Sequence, residues 1–268
     1  KTRHNPGINE ALAQRIHDHA IDDALRDLLH IDIHGMPQKK CVGIMGGHGT
    51  LRTDDFYYKT ALVTKMLAEV GYFVVSGGGP GIMEAANLGA YFAHKSTNDL
   101  QKAIAILCEA PYYTDKGYTD KAKEVLTLYP EGQESLAVPT WFYGHEPSNL
   151  FGTYIAKYFS NAIREDTLLA ISLYGIVFSP GSAGTTQEIF MDAAQNHYGS
   201  YGYYSPMAFL GTKRYTEDTE IYSLLQHLSE GRKYQDLLYL SDEPEKIVAF
   251  IQAHPPILVK DELLLSNS

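Results

Sequence analysis

Pro180-Gly-Ser-Ala-Gly-Thr185 followed by Glu188 is the stretch of this chain best suited to chemistry. Such a small-residue turn before a helix bares backbone N–H groups at the positive end of the helix dipole, where a phosphate or carboxylate binds without a basic side chain. Glu188 is expected in the first helical turn, pointing near whatever the turn holds. The same letters, Thr185-x-x-Glu188, also spell a capping box, in which the two side chains only satisfy orphan N–H groups. Two further bare turns, Gly46-Gly-His-Gly49 and Gly77-Gly-Gly-Pro-Gly81, offer the same unobstructed backbone. For any one of them, glycine as an ordinary turn residue is a sufficient explanation.

These turns need elements to hold them. Residues 175–179 form a short apolar run bounded by Gly and Pro, read as a buried strand, and Ile189, Phe190 and Ala193 recur at helical spacing. Residues 41–45 and 72–76 read as strands that run into the other two glycine turns, with helices over 54–70 and 82–94. Further strands are predicted at 103–107, within 134–143, at 206–210 and at 237–240. Helices are expected over 147–169, 217–228 and 243–253. Residues 111–132, polar and rich in Tyr and Lys, read as a mobile or interfacial loop. An amphipathic helix over 5–29 and a polar linker form an N-terminal extension, residues 1–40, before one domain at 41–268. Strands alternating with helices imply an α/β fold: a single doubly wound, mostly parallel, Rossmann-like sheet whose ligands bind at the carboxyl ends of the strands.

Composition narrows the partners. With 22 Lys+Arg against 32 Asp+Glu the 268-residue chain carries a formal charge of −10, which argues against a nucleic-acid polymer or an anionic membrane. A small phosphate survives that objection, because a local nest of N–H groups can hold it inside an acidic protein. Two cysteines, Cys41 and Cys108, make no disulfide framework and point to a reduced cytoplasmic compartment. No apolar run reaches the ~18 residues of a membrane span. The glycine spacing matches neither a dinucleotide fingerprint nor an ATP-hydrolysing phosphate loop, so a mononucleotide held by backbone fits better.

Gly77-Gly-Gly-Pro-Gly-Ile-Met-Glu-Ala-Ala-Asn87 and Pro180-Gly-Ser-Ala-Gly-Thr-x-x-Glu188 resemble the paired motifs of the Lonely Guy (LOG) superfamily, once misnamed lysine decarboxylases, over roughly residues 41–210. The resemblance implies a Rossmann-like homodimer or larger homo-oligomer. Its activity would be hydrolysis of a nucleoside 5′-monophosphate to free base and ribose 5-phosphate, with neither metal nor cofactor. Glu146-Pro-Ser-Asn149 resembles the branch acting on ordinary nucleotides more than the cytokinin enzymes. The resemblance makes Glu188 the catalytic acid, stabilising the oxocarbenium or activating water, and makes Gly181, Ser182, Ala183, Gly184 and Thr185 the phosphate turn. Ser182 stands where the family has glycine. Arg164 falls near the family's catalytic arginine, one residue out of register; its alternative is a solvated helix arginine beside Glu165 and Asp166. Gly46, Gly47, Gly78 and Gly79 would complete the binding turns.

Met83 against the base, Glu84 on the ribose hydroxyls and His48 over the ligand are further candidates, each with a core, helix-dipole or surface alternative. The tyrosines of 198–204, Trp141 and His145 would stack on a base or form a subunit interface. The competing function is a sensor or carrier without catalysis, since related Rossmann-like proteins bind nucleotides or molybdenum cofactor without cleaving them. A decarboxylase is disfavoured because no motif position is lysine.

Overall fold

The computed structural model describes residues 6–33, 35–142, 147 and 149–259. Seven strands, β1 (Cys41–Met45), β2 (Phe73–Ser76), β3 (Leu136–Ala137), β4 (Tyr154–Ile155), β5 (Ile176–Phe178), β7 (Met207–Leu210) and β8 (Leu238–Ser241), form one all-parallel sheet in the order β4-β3-β2-β1-β5-β7-β8. The two other strands, β6 (Tyr203–Tyr204) and β9 (Ile257–Leu258), pair antiparallel with each other. The central strands are apolar at almost every position because both faces are covered, as a parallel sheet requires.

Alternation of side chains splits the core in two. Val42, Ile44, Val74, Val177 and Ala208 point to one face, under α2 (Asp55–Glu69), α3 (Ile82–Tyr91) and α9 (Pro244–Ala253). Cys41, Met45, Val75, Ile176, Phe178 and Phe209 point to the other, under α6 (Asn161–Ile171), α7 (Ala183–Tyr198) and the end of α1 (Ile8–Leu29). Small residues on α3 allow a close approach to α2: a Cβ on Gly89 would lie 2.0 Å from the Ala61 carbonyl oxygen. Asp18, buried on α1, accepts the N–H groups of Phe159 and Ser160 at 2.8 and 2.9 Å and so fastens that helix to the start of α6.

The α/β, doubly wound, parallel architecture expected from the sequence is the one observed. Its third predicted strand is not. Residues 103–107 are the second half of α4 (Thr97–Leu107), which starts at the Ser96 cap and buries Leu100, Ala103, Ile104 and Leu107 at helical spacing. The expected loop at 111–132 contains α5 (Tyr118–Leu128), whose Ala122 and Val125 are buried against α4 and whose Tyr118 is buried beside Arg52 and Glu84. Residues 147–169 are not one helix: β4 comes first, and α6 begins only after Ser160, whose side chain caps it. A further helix, α8 (Ile221–Ser229), follows a π-helical turn at Arg214–Asp218. Among the described residues no helix is long and apolar enough to cross a membrane.

Candidate functional site

From β1 the chain passes to β2, β3 and β4 on one side of the sheet and returns to β5 on the other. Such a reversal opens a crevice at the strands' carboxyl ends. Three turns bound it here and are bonded to one another: Gly47 N–H donates to the Pro180 carbonyl at 3.0 Å and Ile82 N–H to the Gly47 carbonyl at 3.1 Å. Gly81 cannot be replaced without strain, since its φ is +68° and a Cβ would lie 2.4 Å from the Gly47 oxygen.

The turn after β5 is built for exposure of its N–H groups. Ser182 caps α7 without a side-chain hydrogen bond, and Thr185 is already inside the helix. A capping box between Thr185 and Glu188 is therefore not formed, and Glu188 lies in the second helical turn rather than the first. The first N–H groups of α7 have no intrahelical partner. From behind, the Tyr215 hydroxyl donates to the Ser179 carbonyl at 2.8 Å and Arg214 Nη2 to the Gly181 carbonyl at 2.6 Å, which hold the turn in place.

Arg164 reaches across from α6. Its Nε donates to the Val138 carbonyl at 2.9 Å and its Nη2 to the Gly77 carbonyl at 3.3 Å, so the guanidinium ties the exits of β3 and β2 together. The third nitrogen, Nη1, stands 3.6 Å from Glu188 Oε1, an ion pair too long for a good hydrogen bond. Burial pushes the Glu188 carboxyl up to about 7, against the downward pull of Arg164 and with an upward push from Glu165. Glu165 is itself held by Asn161 Nδ2 and Gln187 Nε2 at 2.7 and 2.8 Å.

The resulting cleft, of about 200 Å³, is lined by Gly46, Gly47, Gly78, Gly79, Met83, Arg164, Ser182, Gly184, Thr185 and Glu188, all singled out in the sequence, and by His48. Gly181 and Ala183 are not on its surface; Gly181 packs against the Thr185 side chain. Glu84 is not there either: it is buried in an ion pair with Arg52 and accepts from Tyr57 and Tyr118. Of Glu146-Pro-Ser-Asn149, Glu146 and Ser148 lie outside the described residues, as does His145. Asn149 is buried, and its N–H donates to the Gly78 carbonyl at 3.0 Å, which steadies the β2 turn. Tyr203 and Tyr204 are engaged in β6 and do not border the cleft.

Sequence reasoning missed Thr140, Lys157 and Glu165, which also line the cleft. Lys157 follows β4, a strand read as helix, and only that strand's position at the sheet edge brings it to the site. Arg214 and Tyr215 carried no sequence signal, because they act on the turn from a different strand's exit.

A parallel sheet with backbone turns and a helix N-terminus at its switch point defines a Rossmann-like fold. The model of the SLOG cluster4 family matches residues 39–97, which span β1, α2, β2 and α3 with their two glycine turns. No curated protein sequence matches. Among solved structures, the molybdenum cofactor binding protein of the phototrophic bacterium Rippkaea orientalis is similar at 15% identity and a TM-score of 0.52, over 81% of this chain and 97% of that one. The Moco carrier protein of Chlamydomonas reinhardtii gives 16%, 0.53, 81% and 97%. The structural-genomics target TM1055 gives 18%, 0.53, 80% and 99%. At these identities what is shared is the fold.

Proposed function

We propose that this protein binds a phosphorylated small molecule of the nucleoside 5′-monophosphate type in the cleft, and that holding and presenting this ligand, as a carrier or sensor, is its basic function. The observation that carries the reading is the convergence of three side-chain-poor turns and the α7 N-terminus on one cleft. The likeness of the fold to molybdenum cofactor carriers supports it. The phosphate would sit at Ser182, Gly184 and Thr185, held by N–H groups and the helix dipole. Arg164 Nη1 would add charge, and a Glu188 protonated near neutral pH would donate to the ligand instead of repelling it. A molybdenum cofactor, as cargo, would be gripped through its phosphate by the same turn.

The second reading is a LOG-type phosphoribohydrolase. What favours it is the open Arg164–Glu188 pair: a carboxyl poised near 7 can take a proton from water and face an oxocarbenium, while the arginine neutralises the departing base or the phosphate. In both readings the binding fold is the domain at 41–268, with 1–40 as an extension, in a cytoplasmic homodimer or larger homo-oligomer. The exposed stripe Ile8, Leu12 and Ile16 on α1 supports such an assembly, and light scattering after size exclusion tests it. Calorimetry with AMP, GMP, CMP and a cytokinin monophosphate, with an assay for ribose 5-phosphate, separates the functions. Binding without release of ribose 5-phosphate leaves the carrier; release identifies the hydrolase; neither binding nor release sinks both.

A further inference from the structure

The cleft has a second end. The anion turn follows β5, the Arg164–Glu188 pair lies by the exits of β2 and β3, and Lys157 follows β4 at the sheet's edge. The order β4-β3-β2-β1-β5 puts four interstrand spacings, roughly 19 Å, between the strand bearing Lys157 and the strand bearing the turn. Both nevertheless line the same cleft. The cleft therefore runs from the α7 turn, by way of Glu188, to Lys157.

What waits there is a donor. The Lys157 ammonium lies 3.8 Å from the centroid of the Trp141 ring, and Trp141 stacks on Phe159 at 6.0 Å and 26°. Among the described residues no carboxylate is within ion-pair reach of Lys157. A cation–π contact fixes where an ammonium sits but leaves it protons to donate into the cleft. Beside it, Thr140 accepts the Phe142 N–H at 3.0 Å and keeps its own O–H as a donor. An end of the site that offers donors selects a group that accepts.

We infer that the part of the ligand distal to its phosphate is a ring presenting a carbonyl oxygen, as a 6-oxopurine does, and that Lys157 selects this ring over the amino-bearing adenine. The inference rests on the reading of the cleft as a phosphate-monoester site. The ammonium donates to the ring carbonyl, whereas the adenine amine would set donor against donor and leave both unpaired. Trp141 is a positioning residue that holds Lys157.

IMP and AMP differ only at C6 and in the proton on the adjoining N1, which makes them the probes. Their affinities, and that of ribose 5-phosphate, are measured by calorimetry on the full chain for the native protein, Lys157→Met and Lys157→Arg. Should the nucleotides be cleaved, the ratio of kcat/KM replaces the ratio of affinities. The native protein is expected to prefer IMP by about tenfold or more. Lys157→Met should lose the preference while binding ribose 5-phosphate within about twofold of native, and Lys157→Arg should retain it, since only a charged donor is required. Equal binding of IMP and AMP by the native protein, a preference for AMP, or an equal loss of all three ligands in Lys157→Met overturns the inference while leaving the phosphate site standing. Failure of the native protein to bind ribose 5-phosphate or either nucleotide overturns that site and the inference with it.

Discussion

Among the described residues two arginine–glutamate pairs, both near-buried, are built to opposite ends. Arg52 grips Glu84 with two nitrogens, Nε at 2.8 Å and Nη2 at 2.6 Å, and spends Nη1 on the carbonyls of Leu107, Ala110 and Tyr118. Glu84 also accepts the hydroxyls of Tyr57 and Tyr118, and the Tyr118 ring lies 3.4 Å from the guanidinium. All three guanidinium nitrogens and both carboxylate oxygens are engaged, and burial beside Glu84 holds the Tyr118 hydroxyl far above its ordinary value. Arg164 and Glu188 instead meet through one contact of 3.6 Å, with Glu188 raised to about 7 by burial. A closed pair fastens elements together; an open one retains capacity for a third party.

The largest expected effect of breaking this contrast is on stability, at the closed pair. Glu84→Ala strands the Arg52 charge in the interior and should cost about 3–5 kcal/mol in urea unfolding. Tyr118→Phe removes one hydroxyl donor from a carboxylate that keeps its others, and about 1.5–3 kcal/mol is expected. Should Glu84→Ala prove no worse than a surface change, the distinction between the two pairs fails.

At the open pair the prediction concerns pH. Glu188 binds its proton more tightly folded than unfolded, so its contribution is fully present below the unfolded value near 4.5 and is lost as pH rises through about 7. Glu188→Gln should therefore flatten the decline of stability between these values, read from urea unfolding across that pH range. Ligand binding should follow the same sign: affinity for ribose 5-phosphate falls from pH 6.5 to 8 in the native protein and stays level in Glu188→Gln. If catalysis occurs, the same variant should lose at least about 100-fold in kcat.

The effect smallest for ligand binding sits one helical turn further on. Asp192 is fully buried, its Oδ2 has no hydrogen-bond partner, and burial raises its carboxyl to about 8. Like Glu188, its stabilising protonated form is lost as pH climbs, here through 8. Asp192→Asn should improve stability at pH 9 relative to native and leave ribose 5-phosphate binding unchanged, because Asp192 does not line the cleft. A change in that binding would mean that the titration of α7 is shared along the helix rather than confined to Glu188.

What could be read from the chain alone was whatever depends on local rules. Runs such as Cys-Val-Gly-Ile-Met and Phe-Val-Val-Ser fix buried strands, glycine after each fixes a bare turn, and Pro-Gly-Ser-Ala-Gly-Thr with Glu188 marks a third such turn at the head of a helix. Those rules also produced the errors. Ala-Ile-Ala-Ile-Leu looks like a strand until Leu100 and Ser96 are counted into its helix, and short apolar runs do not distinguish the two states by themselves. Glu84 and Glu188 follow their glycine turns in much the same way along the chain, and nothing nearby tells them apart. Only the folded arrangement did so. Arg52, brought against α3 from 32 residues earlier in sequence, closed one carboxylate. Arg164, pinned to the exits of two other strands, left the second facing the cleft, and the sheet order delivered Lys157 to its far end. Partner geometry between distant segments is a property of packing, and sequence spacing carries no record of it.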